Sequence, residues 1–374
     1  GTGIAVPRLE DYAWRLWDYW ERHLDPDLFV DFSLRSQVGG RVVLVTGGGG
    51  SIGLALARRV AALGPQRLTL LDSSEYNLYR ASLELRDATP ALADIRDRAA
   101  INRWFGRERP DIVFHTAALK QVPMVEQFPS EGVLTNVGGL RNVAEAARAA
   151  GAEMVFVSTD KAADPSSVMG ASKRLGELYC HALDRTGGPR AVAVRLGNVL
   201  GSTGSVAPIF EAQFAAGGPL TVTDATVTRY FLSIPQAADV LLQAAAIGLD
   251  AKTPRGATLV VDMGEPLPVV ELARDVIRLN GLRPDEDMKI TYVGMRPGEK
   301  LHETLIGADE EVLPCEAEGV QAALSPQRPL GEITEVMDRL GMLAQAGAGE
   351  AIVQELFAAL ALPAPDASLS AARA

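Results

Sequence analysis

The sequence predicts an α/β fold, a doubly wound parallel sheet of the Rossmann kind with a smaller substrate-binding lobe. Three observations carry this. From Arg41 to about residue 200, short apolar runs alternate with helical stretches, the succession that builds a parallel sheet with helices on both faces. The runs are continuously apolar rather than alternating, as strands buried on two sides must be. The first of them enters a glycine-rich turn that opens a helix, the arrangement that receives phosphate in such folds.

Taken in order, RVVLVT from Arg41 reads as the first strand, SIGLALARRVAAL as a helix and RLTLLD as the second strand. A further strand-like segment ends at Asp94-Ile95. DIVFHTAA, EMVFVSTD and AVAVRLGN supply three more strands, separated by helical stretches such as GLRNVAEAARAA. Beyond residue 200 glycine and proline increase, and IPQAADVLLQAAAIG and PVVELARDVIRLNG read as isolated helices. The expected division is an N-terminal helical extension over 1–37 and a Rossmann domain over 38–200. A mainly substrate-binding lobe with returning Rossmann elements follows over 201–330, then C-terminal helices and a disordered tail over 331–374. In the extension, residues 10–24 place Tyr12, Leu16, Tyr19 and His23 on one helical stripe beside Trp14, Trp17 and Trp20. Such a helix is expected to dock on the main domain or on a second subunit, with an interfacial membrane anchor as the alternative.

Composition narrows the function. With 374 residues, 47% hydrophobic and 22% charged, the chain has the profile of a globular protein, not a disordered or collagen-like one. A net charge of −11 disfavours general nucleic-acid binding. No apolar run approaches the length of a membrane helix, and no signal peptide is read at the N-terminus. Cys180 and Cys315 are far apart, and His23, His115, His181 and His302 are scattered without metal-ligand spacing. No metal is therefore expected, and a reducing, cytoplasmic setting fits.

The first strand runs into Thr46-Gly47-Gly48-Gly49-Gly50-Ser51-Ile52-Gly53. Gly47 allows the tight turn, Gly50 lets the backbone approach a pyrophosphate, and Gly53 lets helix and sheet pack closely. Ser51 and Ile52 belong to the same turn. Asp72, 19 residues after Gly53 at the end of the second strand, stands where an acidic side chain accepts from ribose hydroxyls. A carboxylate there repels a 2′-phosphate, so NAD is favoured over NADP. Asp94 and Ile95 are expected at the adenine edge, and Ala117 and Ala118, after the DIVFHT strand, are counted with the cofactor site.

The stretches TGGGGSIG, FHTAALKQVPMVE, TNVGGLRNVAEAA, STDKAADPSSVMGASKR, RLGNVLGSTGSV, TVTRYFLSIPQAA, VVDMGEP and MRPGEKLHETL resemble, in order, the nucleotide-sugar 4,6-dehydratases of the extended short-chain dehydrogenase/reductase superfamily. The likeness is greatest to the UDP-N-acetylglucosamine 4,6-dehydratases of polysaccharide biosynthesis, and it covers about residues 41–310. Long members of that family carry membrane helices ahead of the catalytic part, whereas this chain is expected to be a soluble or shortened form. The superfamily's YxxxK motif here reads Met169-Gly170-Ala171-Ser172-Lys173. A thioether carries no transferable proton, so another group must serve the sugar hydroxyl. The retaining branch of the resembled enzymes shares this Met and the Thr159-Asp160-Lys161 trio.

The resemblance implies Lys161 as the base at C5, Asp160 as the acid at O6 and Thr159 near the 4-hydroxyl. Met169 packs beside the nicotinamide or sugar, and Lys173 serves both catalysis and the cofactor. It further implies a UDP-sugar held by Lys120, by Asn198 and the loop containing Ser205 and Val206, and by Arg229 and Arg296 at the pyrophosphate. Glu299 accepts from ribose or orients Arg296. A homo-oligomer is expected. The competing readings are a 4-epimerase, a 5,6-dehydratase that never returns the hydride to C6, and a non-catalytic NAD-binding sensor or scaffold.

Overall fold

The computed structural model describes residues 38–315 and 319–364. The expected N-terminal helix over 10–24 and the end of the tail lie outside the described residues. The described chain begins with β1 (Val42–Thr46), α1 (Ser51–Ala62), β2 (Arg67–Asp72), α2 (Glu75–Glu84), β3 (Thr89–Leu92), α3 (Arg98–Glu108) and β4 (Ile112–His115). A helical run follows: α4 (Val122–Gln127), α5 (Pro129–Gly132), a π-helical stretch (Val133–Gly139) and α6 (Leu140–Ala150). Then come β5 (Glu153–Thr159), a 3₁₀ turn (Asp160–Ala162), α7 (Val168–Arg185), β6 (Ala191–Leu196) and β7 (Asn198–Val199). The second half contains α8 (Val206–Ala215), β8 (Leu220–Val222), β9 (Thr228–Arg229), β10 (Phe231–Leu232), α9 (Ile234–Leu249), β11 (Ala257–Val261), β12 (Leu267–Pro268) and α10 (Val269–Leu279). The chain closes with β13 (Ile290–Tyr292), β14 (Glu311–Pro314), β15 (Val320–Leu324), α11 (Leu330–Gln345) and α12 (Gly349–Ala359).

Nine strands form one sheet in the order β14-β15-β11-β6-β5-β4-β1-β2-β3. Every pairing from β3 to β11 is parallel, and β15 and β14 add an antiparallel edge. Strand order reverses between β1 and β4, where a ligand crevice opens beyond the strands' C-terminal ends. Alternate strand residues enter two separate cores. Val43, Val45, Leu68, Leu70, Ile112, Phe114, Val155 and Val157 pack under α1 and α9. Leu44, Leu71, Val113, Met154 and Phe156 pack under α3, α6, α7, α11 and α12. A parallel sheet covered on both faces needs apolar residues at every position, which is why these strands carry no polar alternation.

Helix α7 is buried along its length from Val168 to Asp184, because the C-terminal helices cover the side that the sheet does not. A third core, including Phe210, Leu220, Leu272 and Ile277, belongs to the smaller lobe. The returning elements are α9 and β11, which rejoin the main sheet layers. Two sequence expectations shift. β3 ends at Leu92, so Asp94 lies two residues past the strand. The helix read as GLRNVAEAARAA begins earlier, through the π-helical stretch. There Gly139 faces Ile95, whose side chain leaves no room for a Cβ.

Candidate active site

Two adjoining cavities lie at the carboxyl ends of β1, β4, β5 and β6 and share Thr116 and Ala118. One, of about 340 Å³, is lined by Gly47, Gly50, Asp72, Asp94, Ile95, Ala117 and Ala118. The turn above it is set by local geometry. Gly47 has φ 69°, and a Cβ on Gly53 would stand 2.1 Å from the Gly47 carbonyl oxygen. Only glycine permits so close a helix-to-turn approach. Asp72 closes the turn: its Oδ2 accepts from Gly49 N–H at 3.0 Å and its Oδ1 from Ser74 N–H at 2.9 Å. The N-terminus of α1 opens at Gly50, so its free N–H groups face the cavity. This cradle fits a dinucleotide pyrophosphate.

Gly53 lies beneath the turn and serves packing. Ser51 is the first residue of α1. Its Oγ accepts from Thr203 N–H at 3.1 Å and ties the glycine turn to the 202–205 loop. Asp94 accepts from the Arg96 backbone N–H and guanidinium, both at 2.9 Å. Arg96 in turn reaches Glu131 at the rim of the cavity.

The second cavity, of about 310 Å³, is lined by Ile52, Lys120, Thr159, Lys161, Met169, Lys173, Asn198, Ser205, Val206, Arg229, Arg296, Glu299 and Glu303. β5 ends at Thr159, and the tight 3₁₀ turn behind it aims Lys161 into the cleft. Thr159 Oγ1 donates to Asp160 Oδ1 at 2.9 Å, and Lys161 Nζ donates to the same oxygen at 2.9 Å. Lys161 Nζ also donates to Asn198 Oδ1 at 2.8 Å. Asp160 has no exposed surface, and its Oδ2 is without a hydrogen-bond partner among the described residues. The expected acid therefore sits behind Thr159 and Lys161 and does not line the cleft. The sequence expectation puts Asn198 beside the sugar phosphate; in the cleft it also holds the lysine.

α7 enters from below. Met169, 3% exposed, closes the cleft floor with its thioether. One turn on, Lys173 Nζ donates to the Val157 carbonyl at 2.9 Å and lies 4.6 Å from the Phe156 ring centroid. Burial pushes the Lys173 ammonium down to about 8, against the charge of Glu177. His115 lies on the other side of Phe156, stacked at 5.8 Å and paired with Thr46 Oγ1 at 2.7 Å. Burial, then the Lys173 charge, holds it at about 3. It is a satisfied core histidine.

At the far wall Lys120 Nζ donates to Ser202 Oγ at 3.0 Å. Ser205 precedes α8, with its buried Oγ unpartnered among the described residues. Arg229 is fixed by the Thr228 carbonyl at 2.7 Å, the Leu301 carbonyl at 3.1 Å and Glu299 Oε1 at 3.1 Å. Glu299 thus orients Arg229, whereas the sequence expectation gave it Arg296. Arg296 meets Glu299 only through its backbone, its N–H donating to Glu299 Oε2 at 3.2 Å and its carbonyl accepting from the Glu299 N–H at 3.1 Å, and its side chain is exposed.

Sequence reasoning missed two groups. Glu303, inside the quoted MRPGEKLHETL stretch, reaches within 3.8 Å of Lys161 Nζ. Arg195, in the apolar strand β6, donates to Glu177 Oε2 at 2.7 Å and to Glu310 Oε2 at 2.6 Å, all three side chains being fully buried. Arg174 joins the same carboxylates. The signal was available, because an arginine in a strand buried on both faces must find a carboxylate.

A family described as "Polysaccharide biosynthesis protein" matches residues 43–324. The capsular polysaccharide biosynthesis protein CapD of Staphylococcus aureus is 41% identical over 75% of this chain and 48% of its own length. The probable polysaccharide biosynthesis protein EpsC of Bacillus subtilis strain 168 is 40% identical over 74% of this chain and 47% of its own. The chain thus spans about half the length of these curated relatives. Among solved structures, Pen from Bacillus thuringiensis is similar with a TM-score of 0.70 and 31% identity, over 77% of this chain and 88% of that one. A double mutant of the dTDP-glucose 4,6-dehydratase DesIV from Streptomyces venezuelae, solved with NAD, has a TM-score of 0.62 and 25% identity, over 71% and 88%. The UDP-glucose 4-epimerase of Thermus thermophilus, also with NAD, has a TM-score of 0.59 and 25% identity, over 70% and 89%.

Proposed function

Because the chain belongs to the polysaccharide biosynthesis protein family, with the extended short-chain dehydrogenase/reductase fold, we propose that it is an NAD-dependent nucleotide-sugar 4,6-dehydratase. Its substrate is a UDP-N-acetylhexosamine, UDP-N-acetylglucosamine first, and its product the UDP-4-keto-6-deoxy sugar. The observation that carries the reading is the hydrogen-bonded Thr159-Asp160-Lys161 cluster at the cleft, over a methionine that cannot move a proton. An epimerase has no use for a base at C5.

Gly47, Gly50 and the α1 N-terminus would hold the NAD pyrophosphate, Asp72 the adenine ribose and Lys173 the nicotinamide ribose. When bound, NAD supplies a hydride acceptor at C4 and a hydride donor at C6. The remaining chemistry is proton transfer. As C4 is oxidised, the 4-hydroxyl proton passes through the Thr159 hydroxyl to Asp160. The ketone acidifies H5, and Lys161 Nζ removes it. Asp160 returns its proton through Thr159 to O6 as the C6–O6 bond breaks, and water leaves. Lys161 then delivers its proton to C5 as the hydride reaches C6, restoring both side chains. Burial of Asp160 requires this relay, since its carboxyl meets the cleft only through its neighbours. Arg229, Arg296 and the Ser205 end of α8 meet the diphosphate, guanidinium forks being suited to paired phosphate oxygens.

Incubating the protein with UDP-N-acetylglucosamine and following mass loss of one water, with borodeuteride reduction to place the deuterium, tests the reading. Asp160→Asn and Lys161→Ala should each lose at least about 10²-fold in kcat while retaining NAD. Formation of a C4 epimer without water loss would replace the dehydratase reading by the epimerase one. An exocyclic alkene would replace it by the 5,6-dehydratase.

A further inference from the structure

Glu303 is held in an unusual way for an acidic side chain. It is 3% exposed, with Oε1 at 3.8 Å from Lys161 Nζ and Oε2 at 3.8 Å from Lys300 Nζ. Oε2 accepts no hydrogen bond among the described residues, and the side chain lines the cleft with Lys161 and Asn198. A carboxylate withdrawn from water normally gathers hydrogen bonds, because leaving its oxygens bare is costly. Here two lysine nitrogens stand at ion-pair distance but outside hydrogen-bond reach. The segment is firmly placed. Arg195 Nη1 donates to the Leu305 carbonyl at 2.8 Å, and Lys300 Nζ donates to the Ala163 carbonyl, beside the 3₁₀ turn, at 2.8 Å.

We propose that Glu303 is a positioning residue for proton transfer at C5, acting through Lys161. This rests on the dehydratase reading. The reason is the order in which charges change. Oxidation at C4 sends the hydroxyl proton to Asp160, so the carboxyl nearest Lys161 is neutral when H5 is to be removed. The C5–H electron pair then passes into the C4 ketone as an enolate while the proton goes to the Lys161 lone pair; the enolate next re-forms the ketone, the C5–C6 double bond forms, and O6 leaves as water with the proton from Asp160. A positive charge thus develops on Lys161 before Asp160 has recovered its negative one. Glu303 remains charged throughout and faces that nitrogen from a second element of the fold. A fixed charge aimed at charge that develops in the transition state lowers the barrier without reorganising. Asn198 accepts from the same nitrogen and keeps it pointed into the cleft.

The test compares the wild-type holoenzyme with E303Q and E303D, using substrate carrying deuterium at C5. In E303Q, kcat should fall at least about tenfold while KM changes less than about threefold. The C5 isotope effect on kcat should rise, because H5 transfer becomes slower relative to the other steps. E303D keeps the charge and should recover most of kcat. NAD content and melting temperature should match wild type in both. A purely structural role would lower kcat without raising the C5 isotope effect, and that result overturns the proposal, as does wild-type turnover by E303Q. Should E303Q not fold, E303A takes its place as the charge-removing variant: kcat should fall and the C5 isotope effect rise, and an unchanged C5 isotope effect overturns the proposal. Absence of any 4-keto product from the wild-type protein overturns the dehydratase reading and this proposal with it. Normal wild-type turnover with an unmoved isotope effect in the charge-removing variant overturns the Glu303 role alone.

Discussion

Replacing Gly170 by alanine tests how Lys161 is placed. Gly170 lies in the first turn of α7, directly against the 3₁₀ turn that carries the lysine. An added Cβ would stand 2.2 Å from the Lys161 carbonyl oxygen and 3.1 Å from its carbonyl carbon. Ordinary contact needs roughly 3.4 Å, so the two backbones must separate by about 1 Å. The obstructing atom is main chain and cannot rotate away. Its turn is held by the Ala163 N–H donating to the Asp160 carbonyl at 3.1 Å and by Lys300 on the Ala163 carbonyl. Lys161 Nζ must therefore move relative to Thr159 and Asn198. A displacement of that size in a reacting group costs about 10²-fold in rate, and the overpacking costs about 1–3 kcal/mol of stability. Helix propensity works the other way, since alanine for glycine gains about 1 kcal/mol in an open helix. Gly106 in α3, with nothing near its missing Cβ, is the control for that gain. The assay is steady-state kcat with UDP-N-acetylglucosamine, beside bound NAD and the denaturation midpoint. Gly170→Ala should lose about 10²-fold in kcat and keep its NAD, while Gly106→Ala should be fully active. A Gly170→Ala enzyme within twofold of wild type would show that the turn yields without moving the lysine, and the placement argument would fall.

Arg195→Met leaves the buried carboxylates of Glu177 and Glu310 without their main partner, which should cost about 3–5 kcal/mol by chemical denaturation; a loss under about 1 kcal/mol would contradict the network's role. The same network predicts an acid limb. Burial alone would raise both carboxyls, but hydrogen bonds and charge from Arg195, then Arg174, hold them below the usual range. Their contribution is complete above the unfolded value of about 4.3 and is lost as pH falls below it, and Arg195→Met should flatten that limb. Lys173 predicts a second slope of the same sign at high pH. Its folded value of about 8 lies under the usual one, so between about 8 and 10.4 the unfolded chain binds more protons and stability rises with pH. The wild-type midpoint should climb relative to Lys173→Met across that window, and a flat difference would remove the buried ammonium from consideration.

The readable parts of this protein are those whose physics is local. Apolar runs such as VVLVT report burial on both faces, since each residue must be apolar wherever its side chain points. The glycine turn reports a backbone shape that only glycine adopts at Gly47 and that leaves no space for a side chain at Gly53. Asp72 was legible because it closes the second strand at a set distance from the glycine turn, and Thr159, Lys161 and Lys173 because the short motifs that contain them resemble those of the dehydratases. What the sequence could not show is which charges meet. Arg195 finds Glu310 across 115 residues, and Lys161 and Glu303 approach only because the segment after Arg296 folds back over the end of β5. Burial of Asp160 and the pairing of Glu299 with Arg229 are likewise products of chain closure. An ion pair carries no periodicity along the chain, and its partner is selected by desolvation once the core has formed. Local patterning thus determined the sheet and the phosphate turn, the resemblance of short motifs pointed to the proposed reacting groups, and only the tertiary structure decided which carboxylates face the lysine.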